Sequence, residues 1–173
     1  KLHRFNGGVH PSGHKAVSNL KEIGRLPMPS RLVIPFKQHA GEAAKPQVKV
    51  GDHVLKGQLI GMPEGFISSA IHAPTSGTIS AIDEQPVAHP SELPDLCATL
   101  IPDGKDEWVP LTPVDYLEHS SDDLRQKLRL AGVVGLGGAT FPSNVKLRTG
   151  KDKIKTLILN GAECEPYITC DDL

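Results

Sequence analysis

Two stretches carry residue types that could do chemistry. Residues 131–142 read A-G-V-V-G-L-G-G-A-T-F-P, and residues 157–167 read L-I-L-N-G-A-E-C-E-P-Y. In the first, Gly135, Gly137 and Gly138 allow positive φ and a close approach of backbone amides to a ligand, and the helix start expected after Pro142 favours an anion. Lys146, about one turn further on, adds a point charge that suits a phosphate. A tight helix–loop–helix turn explains the same glycines without any ligand. The stretch is not a dinucleotide fingerprint of the usual kind, because it reads G-x-G-G-A-T and follows a helix rather than a strand. No G-K-[ST] closes it, so it is not a P-loop either.

The second stretch is an apolar run, expected as a strand over residues 156–159, that ends in Asn160, Glu163 and Glu165. Ligands of open α/β sheets bind at such strand ends. Asn160 both donates and accepts, which suits a flavin or ribose edge, and the two glutamates accept from ribose hydroxyls or an amide. Carboxylates two apart also fit a glycosidase pair or a merely solvated rim. Cys164 between them is expected to be packed rather than reactive. No catalytic side chain and no metal ligand is assigned.

Composition narrows the classes. The 173 residues carry a formal net charge of -1, which gives nucleic acid or an anionic membrane no bulk electrostatic attraction. With 17 Gly and 15 Pro the chain favours turns and short strands over a helical bundle, and 4% aromatics argues against a sugar- or base-stacking surface. Cys97, Cys164 and Cys170 are odd in number and lack zinc or iron–sulfur spacing, as expected of thiols in a reducing compartment. No apolar run reaches the roughly 18 residues of a membrane helix. The first residue is Lys1, not Met, which suggests trimming.

The elements that must position the two stretches follow from the pattern. Residues 1–28 form an irregular leader broken by glycine and proline. His10 and His14 stand four apart, but Pro11 and Gly13 argue against a helix and no third ligand is near, so loop histidines are expected. Residues 29–101 are all-β: strands at 31–35 and 47–50, a tight turn at Gly51-Asp52, and two short strands within 71–82. Residues 102–114 have the proline and charge of a linker, with Trp108 able to pin them to a domain. Residues 115–173 begin with a helix near 114–131, capped by Ser120 or Ser121 and closed by Gly132. One strand and two helices cannot cover a sheet on both faces, so this α/β segment reads as the opening of a longer domain.

The order V-x-V-G-D-x-V-x-x-G-Q-x-I-G, then A-I-H-A-P-T-S-G-T-I, resembles the barrel-sandwich hybrid of biotinyl and lipoyl carriers over about residues 46–82. In that family the modified lysine stands seven residues before the Ala of the A-P-x-x-G turn. Here that position is Phe66, which has no amine to acylate, so the fold is expected without carrier chemistry. The two late motifs, G-L-G-G-A-T-F-P-S-N-V-K-L and L-N-G-A-E-C-E-P, resemble a flavin region. It is shared by the RnfC family of the Rnf electron-transport complex and the NADH-binding flavoprotein of respiratory complex I. The upstream N-G-G-V-H-P and I-P-x-x-Q-H-A-G-E segments and the carrier-like domain are similar to the Rnf family alone. Leu136, Thr140 and Ala162 stand where complex I has Arg, Gly and Asp.

The resemblance implies an α+β chain, in which an all-β barrel-sandwich hybrid is followed by the start of an α/β flavin/NADH-binding domain. It implies that Gly135, Gly137, Gly138 and Lys146 line an FMN phosphate and ribityl site. Asn160 would touch the flavin, Glu163 lie beside it, and Phe141 and Glu165 lie near the nicotinamide of NAD(H). It further implies two [4Fe–4S] clusters in a C-terminal region beyond this chain. The expected partners are the other components of the Rnf complex and ferredoxin-like carriers, and the expected location is peripheral, on the cytoplasmic side of the bacterial inner membrane. The alternative is a non-catalytic docking module built on an unmodified carrier-like domain.

Overall fold

In the computed structural model, which describes residues 7–9, 11–89, 91, 93–136, 138–148, 154–156, 158–163 and 165–169, seven strands are seen. They are β1 (Leu32–Pro35), β2 (Lys45–Pro46), β3 (His53–Val54), β4 (Leu59–Met62), β5 (Ile71–His72), β6 (Gly77–Pro86) and β7 (Pro94–Pro102). Antiparallel pairing sets them in two sheets, ordered β1-β7-β6-β3 and β2-β4-β5. All belong to one compact unit, Met28–Asp152, while Lys1–Pro27 and Lys153–Leu173 make a second.

The two sheets close on Ile34, Phe36, Val54, Ile60, Ile71, Ile79 and Leu100, each 5% exposed or less. β-branched and aromatic residues suit such a pleated, two-sided interior. Along β6 the alternation is kept through Ile79 and then broken by a bulge between Ile79 and Ala81. Beyond it, β6 and β7 continue as a more exposed arm to the pair Pro86–Pro94. Pro35 is tolerated because β1 is an edge strand. Cys97 is fully buried on β7, and burial, then the neighbouring Asp95 carboxylate, push its thiol pKa up.

Three expectations need correction. The alternating run at residues 47–50 is not a strand: the turn begins at Lys49, whose amide donates to Asp52 Oδ2 (2.9 Å) while Asp52 N donates back to Lys49 O (3.1 Å). Val48 still packs on the core, but Val50 points outward at 58% exposure. The helix expected near 114–131 is split into a 3-10 turn (Tyr116–Glu118) and α1 (Ser121–Leu130). Ser120 and Asp123 form a capping box that starts α1, and the Ser120 hydrogen bonds hold the Asp123 carboxyl below its ordinary pKa. Gly132, at φ +74, follows its end. Finally, Thr156, Ile158 and Leu159 carry no strand, and the two apolar residues are each 84% exposed. An apolar run becomes a strand only where another strand supplies the ladder, and none among the described residues pairs with it. Residue 157 lies outside the described residues.

The segment after β7 lies against the barrel as a strap. Asp103 accepts from Ser76 Oγ (2.7 Å) and contacts His53 Nε2 (3.0 Å), and Asp106 accepts from Thr75 Oγ1 (2.8 Å) and Lys56 Nζ (2.7 Å). Lys56 also bridges Trp108 through the backbone and places its ammonium 5.0 Å from the indole. Backbone and side-chain hydrogen bonds from Lys105, Ser76 and His53 lower the Asp103 pKa to about 2. The hydrogen bond from Lys56, and then that from Thr75, lower that of Asp106.

Candidate functional site

The glycine stretch folds into a closed loop. Val134 and Pro142 form an antiparallel bridge, Gly135 N donates to Phe141 O (2.9 Å), and Ser143 N donates to Val133 O (3.0 Å). The short helix α2 (Ser143–Lys146) then turns Lys146 back over the loop. Its Nζ lies 2.6 Å from where a Cβ on Gly135 would stand, so glycine is what leaves room for the ammonium. Gly138 takes φ +102 and Thr140 φ +44. A left-handed β-branched residue is strained; here Thr140 O is tied to Ala40 N (3.4 Å). That conformation gives a physical reason for the Gly of the complex I pattern at this position. Leu136 projects outward at 86% exposure. Gly137 lies outside the described residues.

The loop has a neighbour that its own sequence does not announce. Residues 138–140 form one wall of a cleft of about 1240 Å³, and residues 37–43 of the I-P-x-x-Q-H-A-G-E segment form another. His39 in that segment is a strut rather than a reactive base. Its Nδ1 lies 3.1 Å from Ala40 O, and its Nε2 lies 3.1 Å from the Ser69 amide and 3.0 Å from Ser69 O. It thereby joins the segment to the hairpin that carries Phe66.

That hairpin is walled in. Arg129 of α1 donates to Ser68 O (3.2 Å) and Gly65 O (2.5 Å), while Arg129 O accepts from Ala70 N (3.1 Å) and Ser69 Oγ (3.3 Å). Arg148 stands 5.4 Å over the Phe66 ring, and Phe66 shares a cavity of about 300 Å³ with Arg125, Arg129 and Asn144. His72 of β5 lies close to Gly132, and its burial pulls its imidazole pKa down, partly offset by a hydrogen bond to the Leu130 backbone. The position that carriers acylate is therefore a packing surface for the next segment of chain.

Of the site residues expected from sequence, the larger unit brings Gly135, Gly138, Phe141 and Lys146 into one loop. Asn160, Glu163 and Glu165 belong to the smaller unit. There Asn160 Oδ1 accepts from Ala162 N (2.9 Å), shaping the turn of N-G-A-E. The Glu163 carboxylate is 2% exposed and paired with Lys15. Tyr167 N donates to Gly13 O (2.8 Å), Ser18 Oγ donates to Tyr167 O (2.7 Å), and the His14 and Tyr167 rings stack at 5.0 Å. Sequence reasoning missed Lys15, Ser18 and Tyr167, whose partners stand about 150 residues away along the chain and leave no periodic trace. His10, Cys164 and Cys170 lie outside the described residues. Among the described residues no group of three or more His, Cys, Asp or Glu is placed to hold a metal ion, and no helix is long and apolar enough to cross a membrane.

A two-sheet barrel whose carrier hairpin is packed away, joined to a closed glycine loop with a lysine folded over it, defines a barrel-sandwich hybrid leading into a flavin-binding domain. Residues 3–105 match the RnfC Barrel sandwich hybrid domain, and residues 128–173 match the Nuo51 FMN-binding domain. The chain belongs to the RnfC family and corresponds to its N-terminal region. It is 50% identical to the C subunit of the ion-translocating oxidoreductase complex of Pasteurella multocida, over 99% of this chain and 21% of that protein. The proteins of the same name from Actinobacillus succinogenes and Vibrio cholerae are each 48% identical. They match over 99% and 100% of this chain and over 25% and 22% of their own lengths. The chain thus spans a quarter or less of the relatives it matches.

Proposed function

We propose that this chain is the entry part of an electron-transfer subunit that exchanges electrons between NAD(H) and ferredoxin-like iron–sulfur carriers through FMN. The subunit sits in a membrane-bound complex that moves ions. The observation that carries the proposal is the Lys146 ammonium held against Gly135 inside the closed loop. A phosphate needs bare amides and a cation at close quarters, and a side chain at Gly135 would take the ammonium's place, so these residues fit the group. Gly135, Gly137, Gly138 and Lys146 would hold the FMN phosphate and ribityl chain. Asn160 and Glu163 would meet the flavin, and Phe141 and Glu165 the nicotinamide side. FMN supplies the conversion between a hydride and single electrons. The chain's own residues bind, orient and set charge. The two [4Fe–4S] clusters and the contacts with the remaining subunits belong to the rest of the protein, placed peripherally on the cytoplasmic face of the inner membrane.

For residues 29–101 we propose a bracing role and no prosthetic group, because Arg129 and the end of α1 hold the hairpin around Phe66. The full-length protein tests the main proposal. It is expected to show flavin absorbance near about 450 nm that NADH bleaches. A folded full-length protein that binds neither FMN nor NADH overturns it.

A further inference from the structure

The N-terminal leader has no period, no charge run and no motif with a common meaning, yet its residues 13–18 hold the second chemical stretch at several points. The Lys15 ammonium pairs with the Glu163 carboxylate, whose side chain is 2% exposed. The Tyr167 backbone is held at both its amide and its carbonyl, by Gly13 O and Ser18 Oγ. The His14 ring stacks on the Tyr167 ring at an interplanar angle of 12°. Both His14 and Tyr167 are non-glycine residues with positive φ, 50° and 69°. Such backbone persists only where surrounding contacts over-determine it.

A carboxylate withdrawn from water is costly unless a cation and hydrogen bonds compensate it. Lys15 supplies such a cation from the far end of the sequence. We infer that Lys15 is a positioning residue of the nucleotide site, acting through Glu163, and that residues 13–18 form the clip that fixes the direction and charge of that carboxylate. The inference deepens the proposed NAD(H)–FMN function and rests on it. A dinucleotide brings an anionic diphosphate, and a Lys15–Glu163 pair presents it with no net charge. The same carboxylate without its lysine would repel it. The clip therefore governs affinity for the dinucleotide, while FMN is held chiefly by the glycine loop.

The test uses the full-length protein loaded with FMN, with NADH oxidation followed at steady state. Lys15→Met is expected to leave FMN content and kcat within about twofold and to raise KM for NADH about tenfold. Lys15→Arg, which keeps the cation, is expected to recover KM to within about threefold. On a Glu163→Gln background Lys15→Met is expected to add less than about a further twofold, because its effect passes through the carboxylate. An unchanged KM in Lys15→Met, or a fully additive effect in the double variant, overturns the inference. So does a joint loss of FMN, kcat and KM that Arg does not repair, which would mark Lys15 as scaffold only. If the unmodified protein neither binds FMN nor oxidises NADH, the functional proposal fails first and this inference falls with it; if it does both, the variants judge the inference alone.

Discussion

Two loops of the larger unit invite comparison: the hairpin around Phe66 and the glycine loop around Gly135. In carrier domains the hairpin is where the chemistry hangs, exposed on an arm. Here it is tied by Arg129, by His39 and by the approach of residues 41 and 42, with Glu42 N donating to Ile67 O (2.9 Å). The glycine loop has the opposite character. Its ends are pinned by one bridge and two backbone hydrogen bonds, and its tip, including Leu136, is open. The same barrel thus keeps its geometry while the reactive position moves to a later loop, and the former attachment hairpin becomes the seat for α1. A fold supplies a frame, and the side chain at one position decides what the frame is for.

One substitution type separates the two loops. Gly41 has φ +92, and a Cβ there would collide with the Ile67 carbonyl, a backbone atom that cannot step aside. Gly41→Ala is expected to destabilise the protein by about 3 kcal/mol in denaturant unfolding and to loosen α1 with the hairpin. A loss under about 1 kcal/mol would mean the hairpin is not the rigid partner described. Gly135→Ala meets only the tip of the Lys146 side chain, which can swing away. Its expected stability change is within about 0.5 kcal/mol, while FMN affinity in the full-length protein falls about tenfold. Equal losses of stability at the two glycines would erase the contrast.

The smallest expected effect lies at the strap. The folded Asp103 pKa is depressed to about 2 and that of Asp106 is lowered, so both contribute stability that is fully present above their unfolded pKa of about 4. That contribution is lost as pH falls through the folded value, between about pH 4 and pH 2. Trp108 fluorescence, read against a core signal over this range, is expected to report release of the strap ahead of the barrel. Coincident transitions would show the strap and barrel to be one cooperative piece.

Much of the barrel was legible because its signals are local. Alternating apolar residues, the turn at Gly51-Asp52 (Gly51 φ +93) and Gly57, which makes room for the Trp108 ring, all act within a few residues or on one neighbour. The long β6–β7 ladder was blurred by its bulge and by the arm beyond it, where Asp83, Glu84 and Gln85 continue the pairing without burying a face. The run at 156–159 misled for the converse reason: apolar residues suggest a strand, but a strand is a relation between two segments. The glycine loop and Lys146 could be placed together from spacing alone. The pairing of Lys15 with Glu163 could not, since no local pattern encodes a contact across 148 positions. The thiol of Cys97 is unreactive by burial, which its spacing from the other cysteines could not reveal.

The strap has one more consequence, for how the barrel hands load to whatever follows it. β7 ends at Pro102, and the next residues are fastened one after another, at Asp103, Asp106 and Trp108, to β3, to the turn before β6 and to Lys56. A pull on the downstream chain is first resisted by those fastenings in succession, as a seam gives stitch by stitch, before tension reaches the nine-residue ladder of β7. The seam works as a sacrificial strain relief, and amide exchange at residues 103–109 should outpace that of β7.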